Sequence, residues 1–404
     1  MTVRTPGGSP RVFVGRQAIF DRRNQVLGYE LLYRTSEENR AHIVDETMAT
    51  LSLMRSALLD IGLDGLIGTN LAFVNVSKSF LANDLHQAMP CARVVLEVHD
   101  DHSSGDLAVL IAMAQRDGYR VAVDDRTLTD ALQGQLDFID YVKIDISKRS
   151  IADVLDLARA LRSRGVALIA EKVETSAQYA RCVEVFPYVQ GYFFQVPVIV
   201  DRAELATDRV ATLLLLAEYS RPEATLEDFE AAVSRDPALT YRVLQLANSG
   251  YASLPKRVDS LRQALVFLGI RQVRNLALIA SLNRVEDKPV ELISSALVRA
   301  KTCEQLAAAA GTNTSSAFTT GLLSLVDALT GIGMEEAMAT LNLTDEVRDA
   351  IVHRAGPLGR ALHAAVACER ASVQELHESE VEIGAAADAF RSAVGWANTL
   401  MRVG

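Results

Sequence analysis

Nothing in this 404-residue chain suggests a cysteine framework: Cys91, Cys182, Cys303 and Cys368 lie far apart and form no CxxC pair. Reduced thiols in a cytoplasm fit that spacing better than disulfides or a cysteine zinc site. Positive charge is also short. The net charge is −10 with no run of Lys or Arg, which argues against a nucleic-acid partner held by the protein's own field. No apolar stretch is long enough to cross a bilayer, and the longest candidates, such as ATLLLLAEY, are short and amphipathic. The amino-terminal MTVRTPGGSPR lacks an apolar signal core. Repeats, low-complexity tracts and Gly/Ser spacers are missing too. The expectation is a cytoplasmic protein with neither a nucleic-acid nor a membrane partner.

What is present is a globular composition, 49% apolar and 23% charged, in a chain longer than one core usually serves. Its texture changes near residue 200. Before that point, apolar runs of about six residues alternate with helix-like segments at 47–61, 105–118, 151–165 and 176–184, the rhythm of parallel strands with crossover helices. After Asp201 helical periodicity takes over. Leu239, Val243, Leu246 and Ala247 share one face, Asn248-Ser249-Gly250 reads as a helix stop, and AAAAG at 307–311 reads as a tightly packed helix ending. The expected division is a disordered 1–10, an α/β barrel over 11–200 and an all-helical domain over 201–404, with about six to nine helices.

The apolar runs of the first half end on residues that bind metals or handle protons. They are LAFVNVS with Asn75, RVVLEV with Glu97, YRVAVDD with Asp124 and Asp125, FIDYVKID with Lys143 and Asp145, ALIAEKVE with Glu171 and Glu174, and FPYVQGY with Gln190. Glu30, at the end of VLGYELLYR, joins them. In a parallel barrel such strand ends converge on one rim, where barrel enzymes place their sites. Glu30, Asn75, Glu97, Asp124 and Asp125 are hard oxygen donors, suited to Mg²⁺ or Mn²⁺ and poorly to zinc. Two such ions could activate water and clamp a phosphoryl group, with Lys143 stabilising charge, Arg34 holding a phosphate and Glu171 orienting the nucleophile or completing the metal shell. The implied reaction class is metal-assisted phosphodiester hydrolysis. A structural account, of caps and rim hydrogen bonds, stands beside it for Asn75, Glu97 and Asp124. Lys143 also fits a simple pairing with Asp145 or Asp125. Glu174 reads as a charge at a helix N-terminus, His99 and His102 as surface histidines, and Trp396 as core.

In order, GYELLYR, FVNVS, LEVHD, VAVDD, VKID, AEKVE and QGYFF resemble the motifs of EAL domains, the phosphodiesterases that linearise cyclic di-GMP. The resemblance spans roughly residues 11–197. It implies metal ligands at Glu30, Asn75, Glu97, Asp124 and Asp125, catalytic roles for Lys143 and Glu171, and substrate contacts from Arg34 and Gln190. DPALTYRVLQLANSGY, SLRQALVFLGIRQVRNL and AFTTGLLSLVDAL resemble the HDOD domain, which implies an output through an unidentified protein partner. A homodimer is compatible with the family.

The departures bear on activity. The motif reads Glu-Leu-Leu, with Leu31 where the family has alanine. The glycine-bearing loop that follows the paired aspartates is absent, and VAVDD runs straight into RTLTDALQG; Arg126, Thr127 and Leu128 cannot adopt glycine's conformations. Asp100 stands where a longer acidic residue braces that loop. Downstream, Ser324-Leu325 occupies the His-Asp position of true HD phosphohydrolases, and His353, His363 and His377 have no adjacent aspartate. The expectation is therefore a bacterial signalling regulator whose EAL-like half lacks robust catalysis but can bind a ligand or metal. The alternative is a metal-dependent cyclic di-GMP phosphodiesterase.

Overall fold

The computed structural model describes residues 13–34, 62–99, 106–128, 136–195 and 289–401 except 342, with scattered positions between 233 and 273. The expected disordered terminus at 1–10, the helix at 47–61, Asp100 and His102 lie outside the described residues, as do Leu239, Leu246, Ser249 and Gly250. The chain divides into two compact units, Met1–Val196 with Ala367–Gln374, and Pro197–Val366 with Glu375–Gly404.

The first unit is a closed eight-stranded barrel in sequential order. Its strands are β1 (Phe13–Asp21), β2 (Val26–Arg34), β3 (Leu71–Ser77), β4 (Val94–His99), β5 (Arg120–Asp124), β6 (Tyr141–Asp145), β7 (Ala167–Glu171) and β8 (Tyr188–Gln190). β2 to β8 run parallel, and β1 runs antiparallel to both its neighbours. The sequence reading found every strand but β1. Its segment, FVGRQAIFD, carries Arg16 and Gln17 and does not scan as an apolar run, because a strand in a hairpin with β2 need not be apolar on both faces. Arg16 is buried nonetheless: its guanidinium lies 4.4 Å from the Tyr29 ring centre and donates to the Leu66 carbonyl.

Among the described residues, five α-helices accompany the barrel: α1 (Leu63–Ile67), α2 (Lys78–Ala82), α3 (Asp106–Arg116), α4 (Ile151–Arg162) and α5 (Ser176–Cys182). Local sequence explains their starts. Ser77 and Ser150 accept the Phe80 and Asp153 amides at α2 and α4, and Thr175 with Gln178 forms a reciprocal capping box at α5.

Inside the barrel the residues stack in layers. Ile19, Phe73, Val95, Ala122 and Ile169 make the apolar layer, with Tyr141 and Tyr188 packed against it. Two residues further along each parallel strand the side chain returns to the same face, and there the character changes at every strand: Phe73 gives way to Asn75, Val95 to Glu97, Ala122 to Asp124, Tyr141 to Lys143, Ile169 to Glu171 and Tyr188 to Gln190. On antiparallel β1 the step is reversed, from Ile19 back to Gln17. Gly28 precedes Glu30 in the same way, and a Cβ there would lie 2.7 Å from the Leu71 carbonyl and 3.0 Å from the Phe73 ring.

The second unit is helical wherever described. Residues 261–269 form one helix, followed by α6 (Val290–Ala309), α7 (Thr314–Leu323), α8 (Val326–Thr330), α9 (Met334–Thr340), α10 (Asp345–His353), α11 (Gly356–Glu369) and α12 (Val373–Glu378), of which residues 367–369 and 373–374 count with the first unit, and α13 (Ile383–Met401). Val243 and Ala247 are fully buried, as their shared face predicts. The AAAAG run closes α6, with Gly311 at φ 67. Trp396 is half-buried, set edge-on to Phe318, with the Lys301 ammonium 5.7 Å from its centre. No described helix is long and apolar enough to cross a membrane.

Candidate active site

The polar layer closes around one buried ammonium. Lys143 is fully buried, and its Nζ lies 2.8 Å from Glu30 Oε2, 2.7 Å from Glu97 Oε2 and 2.7 Å from Glu171 Oε1. The simple pairing with Asp145 or Asp125 is not what forms, because Asp145 turns to Lys172 and Lys148, and Asp125 to Arg149. Burial opposes the charge on Lys143, but the three carboxylates hold its pKa well above the ordinary lysine value. One cation cannot serve three anions equally. Burial pushes Glu30 up, yet Lys143, Gln190 and Asn75 together bring it down to about 2. Burial, with Glu97 and Glu30 close by, raises Glu171 to about 7.

The rest of the ring fixes these carboxylates. Asn75 Nδ2 donates to Glu30 Oε1 at 3.1 Å, and Gln190 Nε2 donates to Glu30 Oε2 at 2.7 Å and Gln17 Oε1 at 2.9 Å. Gln190 Oε1, buried, has no hydrogen-bond partner among the described residues. Gly191 follows at φ 153, and a Cβ there would run into the Val173 carbonyl, so no side chain fits this turn.

Asp124 and Asp125 part company. As consecutive residues at a strand end they face opposite ways. Asp124 is in the ring, and Asp125 leaves it for Arg149 Nη2 at 2.8 Å; burial raises the Asp125 pKa despite that partner. Both Asp124 oxygens are engaged by the segment that replaces the family's glycine loop. The Thr127 amide donates to Oδ1 at 2.6 Å, and Arg126 Nη2 and Nε donate to Oδ2 at 2.7 and 3.0 Å. Burial opposes the Asp124 charge, but His99, Thr127 and Arg126 hold its pKa well below the usual carboxylate range.

His99 joins the ring as well, beyond the residues that the sequence singles out. The sequence places it on a surface loop, but β4 extends through it and carries it into the ring. Its Nε2 lies 2.6 Å from Asn75 Oδ1 and 3.4 Å from Glu97 Oε1, and its Nδ1 is 3.6 Å from Asp124 Oδ2. Burial lowers its pKa, but the acidic partners outweigh that and raise it to about 10. The signal was the spacing Glu97-Val98-His99: two residues apart on a strand, Glu97 and His99 share a face. Arg34 ends β2, and its side chain lies outside the described residues.

The donor chemistry fits a divalent ion. Glu30, Glu97 and Glu171 each place an oxygen within 4.8 Å of the others, the one such His/Cys/Asp/Glu group among the described residues, with the Lys143 ammonium standing among them so that an ion would have to lie beside it. Asn75 and the orphaned Gln190 oxygen add neutral donors of the kind hard cations accept. In the helical unit, Ser324 caps α7 and its hydroxyl donates to the Gly321 carbonyl, so no metal ligand stands at the His-Asp position.

A closed barrel with this carboxylate-lysine layer, joined to a helical partner, is the two-domain plan of a signalling protein. The HDOD family model matches residues 207–353. The chain is 32% identical over 354 residues to the uncharacterized protein YuxH of Bacillus subtilis strain 168, covering 85% of this chain and 87% of that one. It is 30% identical over 380 residues to the cyclic di-GMP phosphodiesterase CdgJ of Vibrio cholerae serotype O1, covering 92% and 88%. The chain belongs to the EAL-HDOD family of bacterial signalling proteins, to which these relatives tie both of its halves. An EAL domain protein from Listeria monocytogenes EGD-e aligns at 18% identity over 46% of this chain and 87% of its own, with a TM-score of 0.38, a likeness that decides nothing about the site.

Proposed function

We propose that this protein is a signal-transduction regulator whose barrel, over residues 11–200, binds a cyclic dinucleotide and a divalent ion without robust hydrolysis. The helical domain, over 201–404, would carry the output by docking a partner protein. The observation that supports this reading is the capture of the paired aspartates. Asp124 spends both oxygens on Thr127 and Arg126, and Asp125 is committed to Arg149, so the pair is not free to bridge two metal ions across a phosphoryl group. A bound Mg²⁺ or Mn²⁺ would supply a Lewis acid and lower the pKa of water. Glu30, Asn75 and Glu97 would hold it, Lys143 would neutralise phosphate charge, and Gln190 and Arg34 would position the ligand.

A second reading, hydrolysis of cyclic di-GMP, is favoured by Lys143 standing among Glu30, Glu97 and Glu171, where an attacking hydroxide would need a cation, and by the activity in the name of CdgJ. Incubation of the full chain with cyclic di-GMP and Mg²⁺ or Mn²⁺ separates the two. The expected result is saturable binding, lost on Arg34→Ala, with little linear dinucleotide. Steady production of linear product that Glu30→Ala abolishes would establish the second reading. Absence of both binding and turnover would remove the ligand from the account altogether.

A further inference from the structure

We propose that His99 is a nitrogen donor of the barrel's divalent-ion site, acting with Asn75 and Glu97, and that it tilts the site from magnesium toward manganese, cobalt or zinc. The inference rests on the metal-binding reading above and deepens it by naming a donor and a selectivity. The geometry is a set of acceptors facing one another. Asn75 is locked by its Nδ2 bond to Glu30, which turns its Oδ1 onto His99 Nε2 at 2.6 Å. Glu97 Oε1 approaches the same nitrogen at 3.4 Å. An amide oxygen, a carboxylate oxygen and an imidazole nitrogen converge on one point, which either the hydrogen on Nε2 or a metal ion can occupy. With metal–ligand distances of about 2.0–2.2 Å, donors sharing one ion stand roughly 3 Å apart, and the 2.6 and 3.4 Å separations bracket that value.

Two further features favour the metal. The other ring nitrogen, Nδ1, lies 3.6 Å from Asp124 Oδ2. A carboxylate behind the distal nitrogen of a ligating histidine orients the ring and raises its basicity, and this role leaves Asp124 free to keep its bonds to Thr127 and Arg126. Lys143 already fills the space among Glu30, Glu97 and Glu171 and also donates to Glu97 Oε1 at 2.8 Å, so an incoming ion would take the His99 side and share that oxygen with the ammonium. About a third of the His99 side chain is exposed, which gives the ion a path from solvent. An all-oxygen set holds Mg²⁺ well. Adding imidazole favours later divalent metals, which accept nitrogen and bind more tightly along the first-row series.

The test is pulsed electron paramagnetic resonance on the full-length protein, stripped of metal and reloaded with Mn²⁺, beside titrations with Mn²⁺, Co²⁺ and Mg²⁺. We expect one Mn²⁺ per chain with resolved ¹⁴N coupling. In His99→Gln the coupling should vanish, and Mn²⁺ and Co²⁺ should bind roughly tenfold or more weakly, with a much smaller change for Mg²⁺. The wild-type spectrum decides the matter even if the variant folds poorly. Mn²⁺ bound without nitrogen coupling would overturn this proposal and leave the metal reading standing. Coupling that persists in His99→Gln would also overturn it. A wild-type protein that binds no Mn²⁺ would overturn both.

Discussion

Replacing Lys143 by methionine tests the charge arrangement at the centre of the barrel. The substitution keeps the length and apolar stem and removes only the ammonium that touches Glu30, Glu97 and Glu171. Against the cost of burial, Lys143 with Gln190 and Asn75 brings the Glu30 carboxyl from 4.5 to about 2, a net effect worth about 3 kcal/mol at ~1.4 kcal/mol per unit. Glu171, raised to about 7, marks the limit of what one cation can offset. Stripping one partner from a buried ionic cluster costs ~3–5 kcal/mol, and that is the loss expected for Lys143→Met at pH 8. The pH dependence has a definite sign. Without the ammonium, burial and mutual repulsion raise the folded-state carboxyl pKa values of Glu30 and Glu171 above their unfolded ones. Their stability contribution is then present at low pH and lost as pH rises, so the deficit against wild type should shrink toward pH 5. The single tryptophan, Trp396, lies in the helical unit, so barrel opening must be followed by hydrogen exchange in peptides from β3, β4 and β6, with Trp396 fluorescence as the internal control. A deficit below about 1 kcal/mol in those peptides, unchanged between pH 5 and 8, would refute the shared-cation account, since a buried unpaired carboxylate cannot be that cheap.

Two other outcomes follow from local geometry. Arg126→Ala should release Asp124 Oδ2, which its guanidinium holds at 2.7 and 3.0 Å, and increase Mn²⁺ uptake beyond one ion per chain in equilibrium dialysis; because the arginine side chain is largely exposed, stability should change by less than about 1 kcal/mol. An unchanged stoichiometry would show that the capture of Asp124 does not limit metal binding. Gly321→Val should destabilise the helical unit by ~1–3 kcal/mol through overpacking, because even a Cβ would lie 2.5 Å from the Arg299 carbonyl on α6. Trp396, edge-on to Phe318 of α7, reports this directly, and an unshifted thermal midpoint in its fluorescence would count against the close α6–α7 packing.

Much of this was legible in the chain before any coordinates. Strands buried on both sides must be apolar throughout, so β3 to β8 announce themselves as runs of Val, Ile, Phe and Leu, and the polar residue that interrupts each run marks the polar layer. The switch from β/α rhythm to helical periodicity near residue 200 is equally local, as are the Ser and Thr caps. β1 was not legible, because its Arg16 and Gln17 are polar residues whose partners, the Leu66 carbonyl and Gln190, lie 50 and 173 positions away.

By itself, then, the sequence determined which polar residues end the apolar runs and that those runs are consecutive strands, since both follow from composition and periodicity within about ten residues. Only the closed barrel decided how they are paired. Registry sets Asn75 beside Glu97 and Asp124 beside Lys143, closure brings β8 round to β1, and alternation sends Asp124 inward and Asp125 out to Arg149. The burial of Lys143 among three carboxylates and the turn of His99 into the ring both depend on side chains meeting from strands far apart in sequence. Electrostatic energies of that kind are set by distance and desolvation, which a linear chain does not contain until it has folded.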